Sequence, residues 1–147
     1  MRFICLGYAD TENFEKMSPE ELGAFMNECF AYDKELLDAG HFVAGEALMF
    51  AEHGVSLTIK GGQVSVTDGP FVETKEQLCG ILILEARDLN HAISLMSKHP
   101  GVRGGRFEIR PANLEVGKLF KEKTGSSMPW GGCDVSAADC KEEGVKS

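Results

Sequence analysis

Two segments of this chain are apolar on both faces of an extended strand, and they narrow the possible folds more than anything else in it. In Arg2-Phe3-Ile4-Cys5-Leu6-Gly7-Tyr8, Phe3 and Cys5 point to one side while Ile4, Leu6 and Tyr8 point to the other. Ile81-Leu82-Ile83-Leu84, inside a strand expected from Cys79 to Ala86, repeats the pattern. A strand with one wet face alternates apolar and polar residues, whereas one apolar on both faces is covered on both. These two segments belong at the centre of a sheet.

Between them lies a well-marked helix. Ser18 caps it, Pro19 suits the first helical position and Glu21 closes a capping box. Leu22, Phe25, Met26, Cys29, Phe30, Leu36 and Leu37 follow at helical spacing, and Gly40 ends the run. A second strand is expected from His41 to Phe50, interrupted near Gly45. Val55, Leu57 and Ile59, then Val64 and Val66, alternate with polar residues on either side of Gly61-Gly62, which is a hairpin signal. Asp88 caps a second helix carrying Leu89, Ala92, Ile93 and Met96, which ends at His99-Pro100-Gly101. A last strand is expected from Arg106 to Arg110, with Pro111 suited to an edge. Leu114, Leu119 and Phe120 allow a short helix, and the polar stretch from Gly125 to Ser147 reads as a mobile tail.

Two strand–helix–strand units with a hairpin between them give an α+β, ferredoxin-like antiparallel sheet with both helices on one face and an inserted β-hairpin. The domain is expected over 1–112 and the tail over 113–147. The uncovered sheet face is apolar, so a second copy packed sheet against sheet is the simplest cover, making a homodimer of the dimeric α+β barrel type.

Charge excludes some functions. The formal net charge of −8 and the lack of a basic stripe argue against nucleic acid as a partner. No apolar run is long enough to span a membrane. Five cysteines, without a close C-x-x-C pair and with three in apolar segments, fit a reducing, cytoplasmic setting. No ligand pair has zinc spacing, and nucleophilic triads, phosphate loops and dinucleotide motifs are missing, so neither metal nor cofactor is expected. Gly101-Val102-Arg103-Gly104-Gly105 is glycine-rich but precedes a strand, the wrong context for a phosphate cradle.

Asp33 falls near the middle of the apolar arc of the first helix, where a carboxylate is costly unless paired or hydrogen-bonded. A backbone N–H, an arginine or a polar cleft would each serve. Asp68, before Gly69-Pro70, reads either as an Asx-turn or as a carboxylate held at a pocket edge for proton transfer. Glu73, Lys75 and Glu76 fit a solvated turn or a direct ligand role. His99 at a helix C-terminus is favoured as a cation by the helix dipole. Arg110 pairs with neighbours or anchors an anion. Tyr8 and Glu46 are placed at a cleft beside the sheet by the fold alone.

The stretch Val66-Thr67-Asp68-Gly69-Pro70-Phe71-Val72-Glu73-Thr74-Lys75-Glu76-Gln77-Leu78-Cys79-Gly80 resembles the motif of the DGPF-domain proteins within the wider YCII-related family. Gly45-Glu46, Ser18-Pro19-Glu20-Glu21, His99-Pro100 and Glu108-Ile109-Arg110-Pro111 also match that pattern, so the resemblance spans roughly 1–112. It implies a ferredoxin-like dimer with a cleft beside the sheet. Some relatives are similar to dehydrochlorinases of chlorinated hydroxyquinols, with a helix histidine and an aspartate as acid/base pair. Asp68 matches the aspartate, but Cys29 stands where the histidine would be. Some DGPF-domain proteins are associated with extracytoplasmic-function sigma factors, which implies a sigma-factor partner. Two functions stay open. One is a module binding a small ligand or a regulatory partner. The other is a small-molecule enzyme of lyase type using Asp68 with Glu73 or Glu76.

Overall fold

The structure, a computed structural model, describes residues 1–70 and 74–129. Its elements run β1 (Arg2–Asp10), α1 (Thr11–Glu15), α2 (Pro19–Asp38), β2 (Phe42–Ala47), β3 (Val55–Lys60) and β4 (Gln63–Asp68). There follow β5 (Glu76–Glu85), α3 (Leu89–Met96), α4 (Gly101–Gly104), β6 (Gly105–Pro111) and α5 (Leu114–Thr124). It is a mixed α+β fold. The main sheet has the order β2-β5-β1-β6, with antiparallel neighbours throughout. The two strands apolar on both faces, β1 and β5, lie at its centre.

Register divides the sheet into two sides. Phe3 opposes Leu84 and Cys5 opposes Leu82, and this side faces the helices. It forms the core, where Leu36 of α2 and Ala92 and Met96 of α3 close over Phe3, Cys5, Leu82 and Leu84. The other side carries Ile4, Leu6, Tyr8, Ile81 and Ile83, all half-buried or exposed in the single chain.

The capping box of α2 is complete: the Glu21 N–H donates to Ser18 Oγ at 3.1 Å and the Ser18 N–H donates to Glu21 Oε2 at 2.8 Å. Its apolar stripe is less buried than the spacing suggests. Leu36 is buried, yet Phe30 and Leu37 are 57% and 54% exposed. A space opens between α2 and the sheet, bordered on the helix by residues from Phe25 to Asp33.

The hairpin forms a separate two-stranded ribbon, β3 with β4, and its turn residues Gly61 and Gly62 have φ of 57° and 78°, the left-handed values such a turn requires. Leu57 opposes Val66 and Ile59 opposes Val64, so these four side chains and Val55 share one exposed apolar face.

One expectation changes. The second strand ends at Ala47 rather than Phe50. Leu48 still donates its N–H to the Cys79 carbonyl at 2.8 Å, but the chain then leaves the sheet for a single 3-10 turn, Ala51–His53. The short helix that Leu114, Leu119 and Phe120 allow is present as α5, capped by Asn113 and closed by Gly125 at φ 74°. The expected mobile tail beyond it, from 130 on, lies outside the described residues. Among the described residues, no helix is long and apolar enough to cross a membrane.

Candidate ligand cleft

The space under α2 is a cleft of about 350 Å³. Phe25, Met26, Cys29, Phe30 and Asp33 of α2 form one wall. Cys5, Gly7, Gly80, Leu82 and Phe107 of the sheet form the other, with Phe14 of α1 and Phe42 of β2 at the sides. Size and apolar walls suit a small organic molecule.

One polar pair interrupts this surface. Asp33 Oδ1 lies 3.0 Å from His99 Nε2, and the histidine side chain is only 8% exposed against 32% for the aspartate. The Gly101 N–H donates to His99 Nδ1 at 2.9 Å. With Nδ1 accepting, the proton belongs on Nε2, which donates to Asp33. The ring is wedged edge-on against Tyr32 and Phe107, at centroid distances of 5.7 and 5.0 Å. Tyr32 is itself fixed by its hydroxyl, which donates to the Leu95 carbonyl at 2.6 Å. Asp33 thus has a rigid donor, and the His99 ring is held from both nitrogens.

The glycine-rich run after His99 has a packing role. A Cβ on Gly101 would fall 2.9 Å from His99 Nδ1 and 3.0 Å from the Phe107 ring. A Cβ on Gly104 would fall 2.9 Å from the Phe25 ring. These positions let backbone approach the cleft's side chains closely.

A β-bulge sets the far wall. The register of β1 on β5 slips between Gly7 and Tyr8, so Cys79 is the extra residue. It lines the cleft, and its Sγ donates to the Gly7 carbonyl at 3.3 Å. Burial pushes the Cys5 thiol up to about 12. Cys29 is also raised, first by burial and then by the charge of Asp33, and Cys79 is raised by burial. All three are free thiols that behave as apolar lining rather than as nucleophiles.

The other candidates spread more widely. Tyr8 and Glu46 border the cleft from the strands, but both belong by register to the open side of the sheet, Glu46 opposite Ile81 and exposed. Tyr8 lies beneath the Arg106 guanidinium at 4.1 Å, and Arg106 Nε donates to Glu76 Oε2 at 2.6 Å. That hydrogen bond, the largest cause, holds the guanidinium more firmly protonated than usual. Glu76, Lys75, Arg110 and Asp68 do not line the cleft. Lys75 faces Glu12 at 3.6 Å, and Arg110 pairs with Glu108 at 2.7 Å. Asp68 is exposed at the end of β4, opposite Val55. Its Asx-turn reading fails because the residue two positions on is Pro70, which has no N–H. Glu73 lies outside the described residues, as do Trp130, Cys133 and Cys140. Sequence reasoning missed Phe14, Phe25 and Phe30 as cleft walls and Arg106 as a lining residue. The one signal for the site was a carboxylate on an apolar helix arc.

Among the described residues, no group of three or more His, Cys, Asp or Glu is arranged to hold a metal ion. Fold and cleft together define a small α+β domain with one antiparallel sheet and an apolar pocket beneath its long helix. The YCII-related domain model matches residues 1–113, and the chain belongs to that family. A relative in Rhizobium meliloti (strain 1021), an uncharacterized protein, is 30% identical over 118 residues, covering 78% of this chain and 94% of that one. The chain is also similar to a solved structure, 5-chloro-2-hydroxyhydroquinone dehydrochlorinase from Burkholderia phenoliruptrix AC1100 in complex with 2,5-dihydroxybenzoquinone. That match has 14% identity, covers 77% of this chain and 94% of that chain, and has a TM-score of 0.39. So distant a likeness says nothing about chemistry.

Proposed function

We propose that this YCII-related domain binds a small, largely apolar ligand in the cleft beneath α2, with Asp33 and His99 as the polar anchor. The observation that carries the reading is the Asp33–His99 pair, a fixed carboxylate among apolar and aromatic walls. A polar group held rigidly among apolar walls is what fixes a ligand's orientation in such clefts, which favours a role in recognition. Asp68 does not line the cleft, and Glu76 reaches it only through its hydrogen bond with Arg106, so proton transfer by those carboxylates is the weaker alternative.

The domain is read as residues 1–112, a ferredoxin-like unit of the DGPF type. The order β2-β5-β1-β6 and the Asp68-Gly69-Pro70-Phe71 stretch support that reading. It acts as a homodimer. Support comes from the apolar open side of the sheet and from the ribbon, where Val55, Leu57, Ile59, Val64 and Val66 are each more than 60% exposed. A lone two-stranded ribbon is only marginally stable in water, so a second copy covering this face stabilises it. The free thiols of Cys5, Cys29 and Cys79 fit a reducing, cytoplasmic setting.

The test is a thermal-shift screen of neutral, cationic and anionic aromatic fragments on the wild type and on Cys29→Trp, which fills the cleft. A ligand at a hundred times its Kd adds about 2.7 kcal/mol, a rise of several degrees. Hits in the wild type that vanish in Cys29→Trp are expected. A screen without hits, or hits that survive in Cys29→Trp, would sink the cleft as a ligand site.

A further inference from the structure

Resting on the cleft reading above, we infer that the ligand is a small organic amine, an apolar or aromatic body with one cationic head, whose counter-ion is Asp33. Three observations point to the sign of that head.

His99 takes only Oδ1 of Asp33, and the carboxylate remains a third exposed. Its second oxygen is therefore available to accept from a ligand. The local charge is acidic. Asp33 is the carboxylate on the helix side of the cleft, while Glu46, opposite Ile81, and Arg106, opposite Tyr8, border it from the open side of the sheet, and Arg106 is the one Lys or Arg among the described lining residues. Arg106 is committed to Glu76 at 2.6 Å and stacks on Tyr8 at 4.1 Å. An anionic ligand would meet the Asp33 carboxylate without an available cation, and the chain's net charge of −8 works in the same direction.

The walls add to the selection. Phe14, Phe25, Phe30, Phe42 and Phe107 line the same cleft as the carboxylate. An ammonium gains from ring faces as well as from a charge-assisted hydrogen bond to Asp33, whereas a neutral hydroxyl gains only an ordinary hydrogen bond. The rigid His99 on one oxygen keeps the carboxylate oriented when the cleft is empty.

The experiment compares three probes of near-equal shape by isothermal titration at pH 7: benzylamine, benzyl alcohol and benzoate. Benzylamine is expected to bind at least tenfold more tightly than benzyl alcohol, with benzoate weakest. Asp33→Asn is expected to cost benzylamine at least tenfold while leaving benzyl alcohol within about twofold. His99→Gln keeps the carboxylate, so it should retain a preference for the amine even where overall affinity falls. Benzyl alcohol or benzoate binding as tightly as benzylamine overturns the amine while leaving the cleft as a ligand site. If none of the three binds, the amine falls together with the cleft reading.

Discussion

A carboxylate on the apolar arc of α2 needs water or a donor, and Asp33, a third exposed, also meets His99, 66 residues further along the chain. The contact depends on small residues beside the ring. Gly101→Ala would drive a methyl into His99 Nδ1 and Phe107 and disturb the N–H that fixes the tautomer. We expect it to cost about 1–3 kcal/mol, read as a lower urea midpoint, and to weaken any cleft ligand. A second histidine responds to pH. The His91 ring faces His41 at 5.2 Å, and its pKa is lowered below 6.5 by partial burial first, then by Arg87 and His41, with Asp88 opposing. The unfolded chain therefore takes up this proton before the folded one. The stability involved is complete above pH 6.5 and is lost as pH falls below it. Urea midpoints measured from pH 7.5 downward should fall more steeply for the wild type than for His91→Gln. Equal slopes would refute the assignment.

At the scale of elements, α2 is fixed locally at its start and by tertiary contacts at its end. Ser18 and Glu21 satisfy the first turn reciprocally, so Ser18→Ala should cost about 1 kcal/mol and lower the melting midpoint by roughly 3 °C. An unchanged midpoint would mean the first turn is held by something other than its cap. Downstream, Leu36 docks into the core while Phe30 stays largely exposed, and this opens the cleft. The bulge between Gly7 and Tyr8 does comparable work on the sheet, because it makes Cys79 an extra residue on the strand facing α2. Neither feature has a sequence signature. The spacing of apolar residues along α2 is the same whether that helix lies flat on the sheet or stands away from it.

For the whole molecule, the surface left bare is as informative as the core. Ile4, Leu6, Tyr8, Ile81 and Ile83 on the open sheet side, and the five apolar residues of the ribbon, are more than a solitary domain usually exposes. If a second copy covers them, Ile81→Lys buries an unpaired charge in that interface and should convert dimer to monomer with little change in the monomer's own core. Sedimentation equilibrium reads this directly. A wild type that sediments as a monomer, or an Ile81→Lys variant that stays dimeric, would remove the proposed pairing.

The sequence by itself determined what depends on near neighbours: the two-sided apolarity that centres β1 and β5, the capped start of α2, the Gly61-Gly62 hairpin and the anomaly of Asp33. Periodicity reports which side of an element avoids water, and turn residues report their own backbone needs. Only the tertiary structure decided what stands opposite each side. It brought His99 to Asp33, turned Cys79 into the cleft through the bulge, and left Asp68 on the ribbon away from both. Those outcomes follow from register and from packing between segments far apart in the chain, and a one-residue slip in either changes every contact while leaving the local pattern intact.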